Sequence, residues 1–162
     1  MDKADLRIEP TITDNQIKEL IHHSTNDQEV ISKTSDATRF KDKQAFDVWI
    51  QSKPSLYVLT NETNKLLGLA WVQKMLSPIV KNEYDTTAAI RLYGEARGRG
   101  LSKWFLGEAL NKYGNSNYWL RTSSDNVSAI KTYKGLGFKI ASSPDEENKI
   151  ILIRHSSYSS LQ

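Results

Sequence analysis

The chain contains no cysteine at all. That absence excludes a disulfide framework, a thiolate zinc site and a cysteine nucleophile together, and it suits a reducing cytoplasm. Long apolar runs are missing too. The longest, Leu66–Val72, is broken by Gly68 and suits a strand, far short of the ~20 residues of a membrane helix. The first residues carry Asp2, Lys3, Asp5 and Arg7 with no apolar stretch, so no signal peptide and no membrane attachment are expected. Nor is there an excess of charge of one sign. Lys and Arg number 22 against 19 Asp and Glu, giving +3, a balance that calls for no nucleic-acid partner. No internal repeat or linker divides the 162 residues. One ordinary domain over 1–155 is expected, with a short polar tail at 156–162.

What is present is a mixed pattern of elements. Leu6–Ile8 reads as a first strand. Asp14–His23 reads as a helix with Ile17, Leu20 and Ile21 on one face and Asp14 as its cap. Ser24–Phe40 is polar and weakly periodic, which suits a loop or a mobile helical segment. Gln44–Ile50 is a short helix ending before Pro54. Ser55–Thr60 and Lys65–Gln73 form a hairpin, and a connection containing Pro78 leads to Thr86–Tyr93, an apolar strand expected to be buried. Leu101–Tyr113 is a helix ended by Gly114. Asn117–Arg121, the helix Val127–Leu136, and the hairpin Phe138–Ala141 with Lys149–Arg154 complete the order. This is an α/β pattern, a sheet with helices on its faces.

The chemistry concentrates at Arg97-Gly98-Arg99-Gly100-Leu101-Ser102, between the strand ending at Tyr93 and the helix from Leu101. The first N–H groups of a helix lack intrahelical partners and point outward, so a strand feeding a glycine turn into a helix start can hold an anion. Glycine permits positive φ and close approach, and Arg97 and Arg99 can add charge-assisted hydrogen bonds. Two other phosphate loops do not fit. A P-loop needs Lys after its last glycine, where Leu101 stands. A dinucleotide fingerprint needs a glycine where Lys103 stands. A surface turn rich in Arg and Gly has the same composition, so the loop alone leaves both readings open.

A second segment follows at Asp125–Phe138. Asp125 or Asn126 can cap a helix that turns Val127, Ala129 and Ile130 toward the sheet, and Gly137 suits its left-handed exit. Together the two segments resemble the GNAT superfamily of N-acetyltransferases. That family's pyrophosphate loop, Gln/Arg-x-x-Gly-x-Gly/Ala, is met by Arg97, Gly100 and, in the last place, the small residue Ser102. Its later segment, Asn-x-x-Ala-x-x-x-Tyr-x-x-x-Gly-Phe, is met by Asn126, Ala129, Tyr133, Gly137 and Phe138. The resemblance covers about 88–138. Gly94 stands where proline is frequent, which is expected to loosen the strand exit.

The resemblance implies a central, mostly antiparallel mixed sheet with a splayed central strand and helices on both faces. It implies acetyl-CoA as co-substrate, with no metal, and an acceptor that is a small-molecule amine or a peptide amino group. A homodimer remains an open arrangement. It implies that the strand at Ile90–Tyr93 parts from its neighbour, with Leu92 as N–H donor to the acetyl carbonyl. Arg97, Gly98, Arg99, Gly100, Leu101 and Ser102 would hold the pyrophosphate, Asn126 the pantetheine side, and Tyr133 would stand near the sulfur as acid. The amine must lose a proton, at roughly 4–5 kcal/mol for a lysine-like group at pH 7. The carboxylates nearest in sequence are Glu83, Asp85 and Glu95. His22, His23 and His155 lie far away in sequence and read as surface imidazoles. Asp145-Glu146-Glu147 could attract a cationic amine or be a solvated turn, and Trp49, Tyr57, Trp71 and Trp104 could line a pocket or fill the core. A non-catalytic acyl-CoA-binding domain of the same fold, acting as sensor or scaffold, is the competing function.

Overall fold

The computed structural model describes residues 1–77, 80, 81 and 83–157, so Pro78 and the end of the tail lie outside the described residues. Seven strands, β1 (Arg7–Glu9), β2 (Ser55–Thr60), β3 (Leu66–Lys74), β4 (Thr86–Leu92), β5 (Tyr118–Ser123), β6 (Lys139–Ile140) and β7 (Lys149–Arg154), form one sheet in the order β1-β2-β3-β4-β5-β7-β6. It is mostly antiparallel: β1 with β2, β5 with β7 and β6 with β7 run antiparallel, and β4 with β5 runs parallel. Among the described residues six α-helices accompany it: α1 (Asp14–Asn26), α2 (Gln28–Lys33), α3 (Asp36–Arg39), α4 (Lys43–Ile50), α5 (Leu101–Tyr113) and α6 (Val127–Gly135). Among the described residues no helix is long and apolar enough to cross a membrane. The chain gathers into two compact units, Met1–Leu69 with Arg91–Arg99, and Ala70–Ile90 with the chain from Gly100 onward.

In the first unit α1 is capped by Thr13 rather than by Asp14. The Thr13 hydroxyl accepts from Gln16 N at 3.2 Å, and the Gln16 side chain accepts from Thr13 N at 2.9 Å. Thr-x-x-Gln is the reciprocal capping arrangement, which satisfies two orphan donors where Asp14 would satisfy one. Ile17 and Leu20 are buried as the helical spacing dictates, whereas Ile21 is half-buried. Of the two alternatives for the stretch 24–40, the helical one holds: after the end of α1 it carries α2 and α3. Each is too short to show a period, and each buries a single residue, Val30 and Asp36. Phe40, fully buried, meets Trp49 of α4 edge-on at 4.8 Å.

In the second unit α5 buries Leu101, Phe105, Leu106, Ala109 and Leu110, and ends at Gly114 with φ 110. β7 buries Ile150, Ile151 and Leu152 and pairs with β5 along its whole length. The Arg154 guanidinium lies over the rings of Tyr118 and Phe138, 5.3 and 5.4 Å from their centroids, and donates to Leu136 O at 3.0 Å. In α6, Val127 is 73% exposed and does not face the sheet. It occupies the first helical position, and the inward side begins with half-buried Ala129 and Ile130 and is completed by buried Tyr133.

Candidate functional site

Seven residues make up β4, yet its parallel register with β5 consists of Thr86↔Tyr118 and Thr87↔Trp119. Beyond Thr87 no further pair joins the two strands among the described residues, so β4 parts from β5. Its burial follows. Only Thr86 is fully buried, and 87–92 are half-buried. An apolar strand in mid-sheet is expected to be covered on both sides, and the parting strand accounts for the exposure.

The exit of β4 is tight. Tyr93 N donates to Leu67 O at 2.9 Å. A 3-10 turn, Gly94–Ala96, then closes through Ala96 N to Tyr93 O at 3.0 Å and Arg97 N to Gly94 O at 3.1 Å. Gly94 has φ 49, which proline, fixed near −65°, cannot adopt. Glycine here makes a defined turn instead of the loosened exit expected.

The glycine loop has the conformation its sequence requires. Gly98 and Gly100 both stand at φ 70, a region costly to residues with a Cβ. A Cβ built on either meets no described atom within 4 Å, so the glycines are there for backbone conformation and for open space, not for packing. Gly100 is the N-cap of α5, and no side chain caps that helix. Thirteen residues of aligned dipole therefore end at an N-terminus whose amides no capping side chain covers. Leu101 is buried and Ser102 half-buried behind it. Arg99 is exposed, with Nε 3.4 Å from Glu95 O. Lys103 runs alongside Gly135, where a Cβ would come 3.3 Å from its Cε.

Arg97 differs from the expectation that its guanidinium reaches for a phosphate. Its Nε donates to Leu92 O at 3.0 Å, one terminal nitrogen lies 2.7 Å from Asp27 Oδ2, and the other lies 3.1 Å from Glu29 Oε2. Burial pushes the Asp27 carboxyl up, but the hydrogen bond and charge of Arg97, with the α2 amides, outweigh it and hold the carboxyl below its ordinary value. One residue before Leu92, Arg91 donates to fully buried Asp36 through Nε at 2.6 Å and a terminal nitrogen at 3.2 Å, and Arg39 reaches the same carboxylate at 2.5 Å. Sequence reasoning found none of these ion pairs. Arg39 lies three positions from Asp36, but the partners of Arg91 and Arg97 lie some 55 to 70 positions away and leave no local signal.

Asn126 caps α6, its Oδ1 accepting from Ala129 N at 3.2 Å. Tyr133, on α6, is only 9% exposed, its ring 6.2 Å from that of Phe138. The carboxylates nearest β4 in sequence make poor bases. A hydrogen bond from Thr86, joined by the Lys74 charge, holds Asp85 below its ordinary value. Glu95 pairs with Lys65 at 3.1 Å, and Glu83 is exposed. Asp145 and Glu147 are engaged by Arg121 at 3.0 and 3.2 Å, which supports a solvated, partly neutralised turn over a lure for amines.

One histidine is not a surface residue. His23 is half-buried and stacks on the ring of Tyr93, centroids 4.4 Å apart and planes 2° from parallel. Burial, then the neighbouring His22, lowers its pKa against the opposing charges of Asp27 and Glu19, so its imidazole is neutral at pH 7. Burial above all pushes the Tyr93 phenol far up, and its buried hydroxyl has no hydrogen-bond partner. Tyr57 and Trp71 belong to the core. Trp49 borders an open cleft of about 510 Å³ shared with Arg39, Lys41 and Asp42. That cleft includes no residue of β4, the glycine loop or α6, so the donor chemistry does not belong to it.

The sequence profile of the Acetyltransferase (GNAT) family matches residues 18–138. An uncharacterised protein of Mycobacterium leprae is 31% identical over 96 residues, which are 59% of this chain but only 26% of that protein; the chain thus spans about a quarter of the relative it matches. Among solved structures, a candidate acetyltransferase of Acinetobacter baylyi superimposes with a TM-score of 0.76 at 16% identity, over 93% of this chain and 91% of that one. The spermidine N-acetyltransferase of Vibrio cholerae, in complex with CoA and spermine, gives 0.71 at 16% identity over 93% and 94%. At these identities the structural likeness is one of fold.

Proposed function

Since the chain belongs to the acetyltransferase (GNAT) family, we propose that it transfers an acetyl group from acetyl-CoA to a primary amine, on a small molecule or a peptide, by direct attack on the thioester. Residues 1–155 act as one catalytic domain in this reading. The observation that carries it is the loop: two glycines at φ 70 with open space beside them, leading into a helix of thirteen residues that no side chain caps. Such an N-terminus suits a pyrophosphate. The backbone of Arg97, Gly98, Arg99, Gly100, Leu101 and Ser102 binds it, with Arg99 adding charge. The amide nitrogen of Asn126 contacts the pantetheine arm. The Leu92 N–H stabilises the oxyanion that forms as the amine attacks. The C–S bond then breaks, and the departing thiolate (pKa ~8.5) takes a hydrogen bond and then a proton from the Tyr133 phenol (pKa ~10).

The sequence assigns no base, and His23 is our candidate for the role. His23 has the half-buried neutral ring that a base needs, stacked on the residue after Leu92. The groups facing it are His22, Glu19, Asp27, Arg97 and Tyr93. Because its pKa is lowered, the acid limb of kcat/KM should fall below the ordinary imidazole value of ~6.5. His23→Gln should remove that limb and reduce turnover about 100-fold. Tyr133→Phe should lower kcat and leave the Kd of acetyl-CoA unchanged. A pH–rate series on both variants checks the pair; an unaltered acid limb in His23→Gln removes His23 from the role.

The competing reading, an acyl-CoA-binding domain without turnover, draws on the engaged state of Asp85 and Glu95. One experiment separates the two. Acetyl-CoA, dephospho-CoA and ATP are titrated calorimetrically, and then a panel of amines that includes spermine is screened with thiol detection. Saturable binding with CoA release supports transfer. Binding without release supports the sensor, and no binding at millimolar ligand overturns both.

A further inference from the structure

We infer that Arg97, braced by Asp27 and Glu29, is a positioning residue that fixes the Leu92 peptide, and is not a ligand of the donor's phosphates. The inference rests on the transfer reading for its catalytic consequence, but its geometry stands alone.

All three directions of the guanidinium are taken: Leu92 O at 3.0 Å, Asp27 at 2.7 Å and Glu29 at 3.1 Å. Lys33 also pairs with Glu29, at 2.9 Å, so two cations and two carboxylates close the cluster on itself, and the Arg97 charge is already spent within it. The side chain is 29% exposed, so withdrawing it toward a ligand would strand Asp27, itself 18% exposed, without its cation.

Asp27 is a firm anchor because it serves two helices. Its N–H closes α1 onto His23 O at 3.0 Å, while Oδ1 caps α2 by accepting from Glu29 N at 3.0 Å, which leaves Oδ2 for Arg97. The Leu92–Tyr93 peptide, which directly follows the one carrying the Leu92 N–H, therefore hangs from a helix junction. Its other supports are equally fixed: Arg91 is bound to buried Asp36, and Tyr93 N is bound to Leu67 O at 2.9 Å. Leu92 thus lies between three anchored points at the end of a strand that has parted from β5 and lost that neighbour's ladder. An oxyanion donor works in proportion to how little it must reorganise. A charged frame supplies the rigidity that the missing ladder does not.

The test uses Arg97→Gln, Asp27→Asn and the double variant. Asn caps a helix as well as Asp does, so Asp27→Asn removes the charge and keeps α2. With acetyl-CoA and with S-acetyl-pantetheine, which has no phosphate, Arg97→Gln should lose kcat alike, by about 10–100-fold, with KM and CoA affinity nearly unchanged. Asp27→Asn should reproduce much of that loss, and the double variant should be no worse than Arg97→Gln. Independently of turnover, the amides of Leu92 and Tyr93 should exchange faster with deuterium in both single variants, at temperatures where circular dichroism shows each folded. A loss confined to acetyl-CoA binding would make Arg97 a phosphate ligand and overturn the inference. So would wild-type exchange at Leu92 and Tyr93. Faster exchange in a protein that acetylates no amine would leave the frame standing and remove the transfer reading instead.

Discussion

Gly100→Asp should weaken acetyl-CoA binding by roughly two to three orders of magnitude, because a carboxylate about 4 Å from a phosphate charge costs ~4 kcal/mol at an effective dielectric near 20. The fold should survive. A Cβ at Gly100 meets open space, and Asp is among the residues that tolerate the left-handed region, which Gly100 occupies at φ 70 and ψ 23. A carboxylate at a helix N-terminus also interacts favourably with the dipole. Charge and backbone strain are separated by Gly100→Ala, which pays the conformational cost of about 1–2 kcal/mol without the charge. Calorimetric titration of both variants, beside their thermal unfolding curves, reads the result. If Gly100→Asp binds acetyl-CoA as the wild type does, the loop does not hold the pyrophosphate.

Asp36→Ala should cost about 3–5 kcal/mol of stability, a large share of the ~5–15 kcal/mol available to a domain. Asp36 is fully buried and receives both Arg91, 17% exposed, and Arg39, 32% exposed. Removing the carboxylate takes from the half-buried Arg91 guanidinium the buried anion it is bonded to. The ion pair need not be net stabilising for this to hold, since the penalty comes from leaving one member behind. Asp36→Leu with Arg91→Met removes both charges and should recover much of the loss. Urea unfolding of the wild type, the single variant and the double variant gives the three free energies. A single variant within about 1 kcal/mol of the wild type would show that water or another group satisfies Arg91.

The legible parts of the sequence were those with a strong period or a marked end. α5 spans Leu101–Tyr113 as its apolar face and Gly114 indicate, and β2 and β7 have the bounds their residues suggest. The glycine loop was legible because Gly98 and Gly100 have few reasons to stand before a helix other than backbone conformation. What could not be read had no local cause. α2 and α3 are held by caps and by one buried residue each, too little for a pattern. Val127 looks inward by composition and is outward by its place in the first turn of α6. Asp27 with Arg97, Asp36 with Arg91, and His23 with Tyr93 are meetings of the first forty residues with the end of β4. Nothing in a segment read alone tells a buried Asp that neutralises a distant arginine from a solvated one.

The parting of β4 from β5 after Thr87 also bears on how substitutions along this strand would read. A donor arm recognised by main-chain amides meets the same groups whatever residues carry them. Apart from Arg91, which ties the strand to Asp36, alanine scanning over 88–92 would then be nearly blind to the recognition surface, and two of those positions, Ala88 and Ala89, are alanine already. Backbone chemistry is what such a strand makes visible: an ester in place of one amide deletes a single donor and leaves every side chain intact.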